Sequence, residues 1–145
     1  MDHNYQITRA AELACLAVLR DFIDTHCRNQ PGIGEQTLYD LKLAVDEACT
    51  NIILHGYAGM NPGSIMLRIE IDPDKVILVI TDFGHAFEPC ETSMPDIQAG
   101  LEDRPMGGFG LFFIYQSMDL VEYDVNEDGN TLRLTKNLVI QQESI

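Results

Sequence analysis

Glu47, Asn51 and His55 follow one another at intervals of four residues, the spacing that stacks side chains along one edge of an α-helix. A carboxylate in such a row can accept a proton, and an amide oxygen can hold a hard cation such as magnesium. The same row also describes an ordinary solvated helix flank, and His55 also reads as a satisfied histidine at a helix end. A second candidate is Asp82, placed where the apolar run Val76–Ile80 ends. An ionised carboxylate there needs donors or water, and the exocyclic amine of a purine is one such donor. Gly84 lacks the side chain that would keep a flat ring from the backbone, and Ala86 keeps the next outward position small. The plain alternative is a strand-ending Asp-Gly turn. A third candidate is Gly107-Gly108-Phe109-Gly110-Leu111. Its glycines let backbone N–H groups converge, and a helix starting there would add partial positive charge for a phosphate. Arg104 lies just upstream, able to fork onto a terminal phosphate or to remain a solvated loop arginine.

These groups need elements to hold them. Leu38, Leu41, Val45, Ala48 and Ile52 recur at alternating steps of three and four, which predicts one long amphipathic helix over Leu38–Tyr57. Gly56 and Gly59 supply its stop. Ahead of it, Tyr5 and Ile7 alternate as a short edge strand, and Thr8 is a candidate N-cap for a helix over Arg9–Cys27. Asn29-Gln30-Pro31-Gly32 breaks the chain. After it, Ile65, Leu67, Ile69 and Ile71 alternate with polar neighbours as a half-buried strand. Asp72-Pro73-Asp74-Lys75 reads as a turn, and Val76–Ile80 as a central strand. His85–Met106 shows no period and is punctuated by Pro89, Pro95, Gly100 and Pro105; so long a structureless stretch is either a misassigned element or a functional lid. A helix follows from Gly107 to about Ser117. Leu120–Val125 and Thr131–Lys136 then form two strands joined by a turn at Asn126–Asn130. The expected fold class is α+β, a two-layer α/β sandwich with a mixed, mostly antiparallel sheet and helices on one face. Residues 1–145 are expected to form a single domain.

Composition bounds the function. The net charge is −14, which disfavours nucleic-acid phosphates, and no basic stripe offsets it. An acidic surface suits a basic protein partner, or it serves solubility alone. The N-terminus has no basic patch leading into an apolar run, and Leu13–Leu19 is too short to span a bilayer. The four cysteines, Cys15, Cys27, Cys49 and Cys90, have no metal-ligand spacing and read as reduced, mostly buried thiols of a cytoplasmic protein. Asp82-Phe83-Gly84 spells a kinase metal-binding triplet, but the companion HRD segment is missing. There is no GxxxxGK[ST], and Phe113 stands where a third Rossmann glycine belongs.

The order of the three candidates carries a resemblance. Glu47-x-x-x-Asn51 on a helix, Asp82-x-Gly84-x-Ala86 after a strand and Gly107-Gly108-x-Gly110-Leu111 at a helix start resemble the GHKL-type ATP-binding fold shared by gyrase and histidine kinases. Within it, the chain is most similar to the anti-sigma factor serine/threonine-protein kinase family. The wording of Ala44–Asn51, His55-Gly56-Tyr57 and Gly107–Ile114 agrees, over roughly Ile33–Lys136. Phe109 stands where the family often has Leu, and the charge is unusually acidic, so magnesium and the helix terminus must offset repulsion of an anionic nucleotide.

The resemblance implies roles. Glu47 would be the general base preparing an attacking hydroxyl. Asn51 would coordinate magnesium. Asp82 would accept a hydrogen bond from the adenine amine, with Gly84 and Ala86 lining that pocket. Gly107, Gly108, Phe109, Gly110 and Leu111 would form the phosphate segment, and His85–Met106 the ATP lid. The implied activity is magnesium-dependent transfer of the ATP γ-phosphate to a serine or threonine of a STAS-like anti-anti-sigma partner, regulating a sigma factor by partner switching. Members commonly form homodimers. A nucleotide-gated binding module without kinase activity is the alternative. A stray histidine kinase catalytic domain is disfavoured, because the segment before Leu38 is too short for a dimerisation helix with a phospho-accepting His.

Overall fold

The computed structural model describes residues 3–85, 114 and 116–138. In chain order the elements are β1 (His3–Ala10), α1 (Cys15–Cys27), α2 (Glu35–Asn51), a π-helical segment (Ile52–Gly56), β2 (Ser64–Ile71), β3 (Lys75–Asp82), β4 (Leu120–Asn126) and β5 (Gly129–Asn137). The strands form one sheet in the order β1-β2-β3-β5-β4. Every described pairing is antiparallel. β3 lies in the middle, as its continuous apolar run requires.

One face of the sheet is covered. Ile65, Leu67 and Ile69 of β2, Val76, Leu78 and Ile80 of β3, and Leu132 and Leu134 of β5 are buried in a single core. α1 contributes Cys15, Leu19, Ile23 and Cys27, all four apart, and α2 contributes Leu38, Leu41, Ala44, Val45, Ala48 and Cys49. Each large aliphatic side chain so buried contributes about 1.5–3 kcal/mol. Ion pairs of Arg20 with Asp46 and of Lys42 with Asp24 join the two helices along their outer edge. On the opposite face Arg68, Glu70, Arg133 and Glu122 form a charge ladder across four strands, and Ile77 and Val79 are buried on that side of β3. No helix among the described residues is long and apolar enough to cross a membrane.

Three local expectations are corrected. Thr8 is not an N-cap: it pairs with Met66 inside β1, which continues to Ala10 opposite Ser64. α1 therefore begins at Cys15, capped by Ala14 without any side-chain hydrogen bond. Ala10–Leu13 has helix-forming composition, but pairing with β2 decides the backbone through Ala10, and the Ala11 N–H continues it by donating to the Gly63 carbonyl at 2.8 Å. Finally, the long helix is not α-helical to Tyr57. Its last turn widens, and the Tyr57 N–H reaches back five residues to the Ile52 carbonyl at 3.0 Å.

Candidate functional site

Asp82 is the last residue of β3 and only 5% exposed. It occupies an inward register position beyond Val76, Leu78 and Ile80, so the core that orders β3 also buries its carboxylate. Oδ1 accepts from the Gly84 N–H at 2.9 Å and from Asn130 Nδ2 at 3.0 Å. Burial pushes the Asp82 carboxyl above its ordinary value, and these two donors only partly oppose it. Among the described residues both bonds land on Oδ1. A buried carboxylate held by one oxygen retains acceptor capacity on the other, which is what recognition of an amine requires.

The turn after Asp82 is fixed at each of three successive amides. The Phe83 N–H donates to Tyr57 Oη at 2.9 Å, the Gly84 N–H to Asp82 Oδ1, and the His85 N–H to the Gly56 carbonyl at 2.5 Å. Gly84 is required here by space. A Cβ on it would lie 2.3 Å from the Gly56 carbonyl oxygen. The missing side chain thus makes room for the end of the π-helical segment. That segment brings α2 to the carboxylate, since a Cβ on Gly56 would sit 3.8 Å from Asp82 Oδ1.

Glu47 and Asn51 lie one turn apart on α2. Glu47 is half-buried, and burial, followed by the neighbouring charge of Asp46, raises its carboxyl above the ordinary range. A raised carboxylate is a stronger proton acceptor while ionised. Asn51 is 5% exposed, and its Nδ2 has no hydrogen-bond partner among the described residues. A buried amide without a partner costs about 1–3 kcal/mol, so its retention calls for a reason. His55 falls inside the π-helical segment, whose wider turn shifts it from the straight α-helical row, and its Nε2 is likewise buried without a described partner. π-turns within α-helices occur frequently at functional sites.

Ala86, Arg104, Gly107, Gly108, Phe109, Gly110 and Leu111 lie outside the described residues, as do Cys90 and most of His85–Met106. Beyond them, Ile114, Gln116 and Ser117 are helical.

Two residues that sequence reasoning did not single out belong to the site. Asn130 was read only as part of a turn, yet it is 4% exposed and its Nδ2 also donates to the Gly84 carbonyl at 2.9 Å. The signal was available: Asn130, Leu132 and Leu134 share one face of β5, so a polar residue there enters the core. Tyr57 was read as a helix end, but it is 6% exposed and its hydroxyl donates to the Ser64 carbonyl at 2.8 Å.

The model of the histidine kinase-like ATPase domain matches residues 9–136. Over 100 residues the chain is 35% identical to the anti-sigma F factor of Clostridium beijerinckii, covering 69% of this chain and 68% of that protein. It is 30% identical over 121 residues to serine-protein kinase RsbW of Bacillus cereus, covering 81% of this chain and 73% of that protein. It is 33% identical over 119 residues to the RsbW of Halalkalibacterium halodurans, with 76% and 68% covered. Among solved structures, the histidine kinase domain from the Erythrobacter litoralis EL346 blue-light activated histidine kinase shares the fold at a TM-score of 0.54 and 15% identity. That match covers 87% of this chain and 60% of the longer one.

Proposed function

Because the chain belongs to the family of histidine kinase-like ATPase domains, we propose that it is a cytoplasmic serine/threonine kinase of the anti-sigma factor type. It takes ATP with magnesium, transfers the γ-phosphate to a serine or threonine of a STAS-like anti-anti-sigma protein, and thereby regulates a sigma factor by partner switching. It acts as a homodimer, and residues 1–145 work as one domain. The observation that carries this reading is the buried Asp82 carboxylate, held on Oδ1 by Gly84 and Asn130 beside the end of the helix that bears Glu47 and Asn51.

Asp82 accepts the adenine amine, with Gly84 and Ala86 beside the base. Asn51 fits magnesium. Its carboxamide is buried with an end unpartnered, and the two ends of an amide exchange by a half-turn, so its oxygen would hold the ion. A single protein ligand suits a cation that is bound through few side chains together with substrate phosphates. When bound, magnesium offsets the charge of the phosphates. Gly107, Gly108, Phe109, Gly110 and Leu111 supply backbone N–H donors to the phosphates. Glu47 takes the proton from the attacking hydroxyl, and its half-buried setting makes it the stronger base for that step. Positioning and charge stabilisation are most of what phosphoryl transfer asks of a protein.

Incubation with γ-labelled ATP, magnesium and a STAS-like partner tests the reading. Acid-stable label on a partner serine or threonine supports it. Nucleotide-dependent capture of the partner without any label would replace it with a nucleotide-gated binding module.

A further inference from the structure

β2 and β3 pair as far as Ile65 opposite Asp82. The next rung in that register would join Ser64 to Phe83. In its place stands a side chain: Tyr57 Oη accepts from the Phe83 N–H at 2.9 Å and donates to the Ser64 carbonyl at 2.8 Å. A hydroxyl is thus inserted into the ladder where the next interstrand bond belongs. The two strands are held apart by its width, immediately beyond the carboxylate. The neighbourhood is built to admit it. A Cβ on Gly63 would lie 2.7 Å from Tyr57 Oη and 2.8 Å from Cε1, so only glycine lets the ring lie there. The adjoining Gly56 carbonyl takes the His85 N–H at 2.5 Å, and the His85 ring nitrogen Nε2 lies 3.1 Å from the Ala58 carbonyl.

We propose that Tyr57 is a positioning residue for base recognition, acting through Asp82. By separating the ends of β2 and β3 and holding the Phe83 amide, it sets the turn whose Gly84 N–H occupies Asp82 Oδ1, and so directs the other oxygen toward the purine amine. A phenol does this where a direct ladder bond would not, because the bond would draw Phe83 toward Ser64 and change the path of the chain out of β3. This rests on the reading of Asp82 as the adenine acceptor.

The test compares binding of ATP with binding of purine riboside triphosphate, which lacks the 6-amino group, in the wild-type protein, Tyr57→Phe and Asp82→Asn. Wild type should prefer ATP. Tyr57→Phe leaves two part-buried backbone groups, the Phe83 N–H and the Ser64 carbonyl, without their partner and should weaken ATP binding by roughly five- to tenfold, with little change for the analogue. Gly63→Ala, which displaces the ring without removing the hydroxyl, should narrow the preference in the same direction and serves as a second variant. A structural role alone would weaken both nucleotides equally and lower the melting temperature, and that result overturns the proposal. So does an unchanged preference in Tyr57→Phe while Asp82→Asn abolishes it. If Asp82→Asn itself leaves the preference intact, the adenine reading has failed, and the role of Tyr57 in base recognition falls with it.

Discussion

Asn130 on β5 places its Nδ2 3.0 Å from Oδ1 of Asp82 on β3, and the two residues stand directly opposite in the pairing of those strands. The amide also reaches the Gly84 carbonyl at 2.9 Å. One side chain therefore holds both the carboxylate and the turn that follows it.

Replacing Asn130 by Ala removes the side-chain donor that opposes the cost of burying the Asp82 charge. The expected destabilisation is about 1–3 kcal/mol, with a fall in ATP affinity of roughly tenfold. Asn130→Asp sets a second carboxylate against the first and should be worse on both counts. Denaturant unfolding and calorimetric titration with ATP check both variants.

Asp82→Asn is predicted to separate stability from function. The amide oxygen can still accept from Gly84 and Asn130, while the buried charge is gone. Asp82 has a folded carboxyl raised above its ordinary value of 3.8, so the folded protein binds the proton more tightly than the unfolded chain. The stability linked to that proton is present below the ordinary value and is lost as pH rises through the raised one. The melting temperature of Asp82→Asn should accordingly gain on that of wild type as pH rises from about 4, then level off, while ATP affinity falls toward that of the analogue without the 6-amino group. A difference that shrinks with rising pH would contradict the burial argument.

Gly84→Ala drives a Cβ to 2.3 Å from the Gly56 carbonyl oxygen. Neither backbone segment can yield without breaking the bond from the His85 N–H. Overpacking of this kind costs about 1–3 kcal/mol. Thermal unfolding should show that loss, accompanied by weakened ATP binding.

Cys15, Cys27 and Cys49 are buried free thiols. Burial pushes Cys27 up to about 12, and Cys49 is raised as well, again chiefly by burial. Thiolates are the reactive form. None of the three should react with an aromatic disulfide reagent in the native protein at neutral pH, and all should react in denaturant. Mass spectrometry after labelling identifies which thiols have been modified.

Much of this arrangement was legible in the chain. The unbroken apolar run of β3 announced a central strand, and the three-four stripe of Leu38, Leu41, Val45 and Ala48 announced α2. Asp82 was recognisable because a carboxylate at the end of such a strand must be accounted for. What escaped depended on long-range contacts. Ala10 and its neighbours favour helix locally, but Ser64 across the sheet holds Ala10 in a strand. The π-turn at Ile52–Gly56 has no period of its own over so few residues. Gly84 was legible as a position without room for a side chain, and only the fold shows that Gly56 packs where its Cβ would stand. Tyr57 Oη bridging Ser64 and Phe83 follows from the register of two strands, and no local pattern encodes it.

On the proposed reading, Glu47 serves as the base for transfer from ATP to a partner hydroxyl. Its most direct test is γ-phosphate transfer to a STAS-like partner by wild type and Glu47→Gln, each at saturating magnesium–ATP. Glu47→Gln should retain ATP affinity while losing transfer by roughly 100-fold or more. Transfer by Glu47→Gln at the wild-type rate would exclude Glu47 as the base.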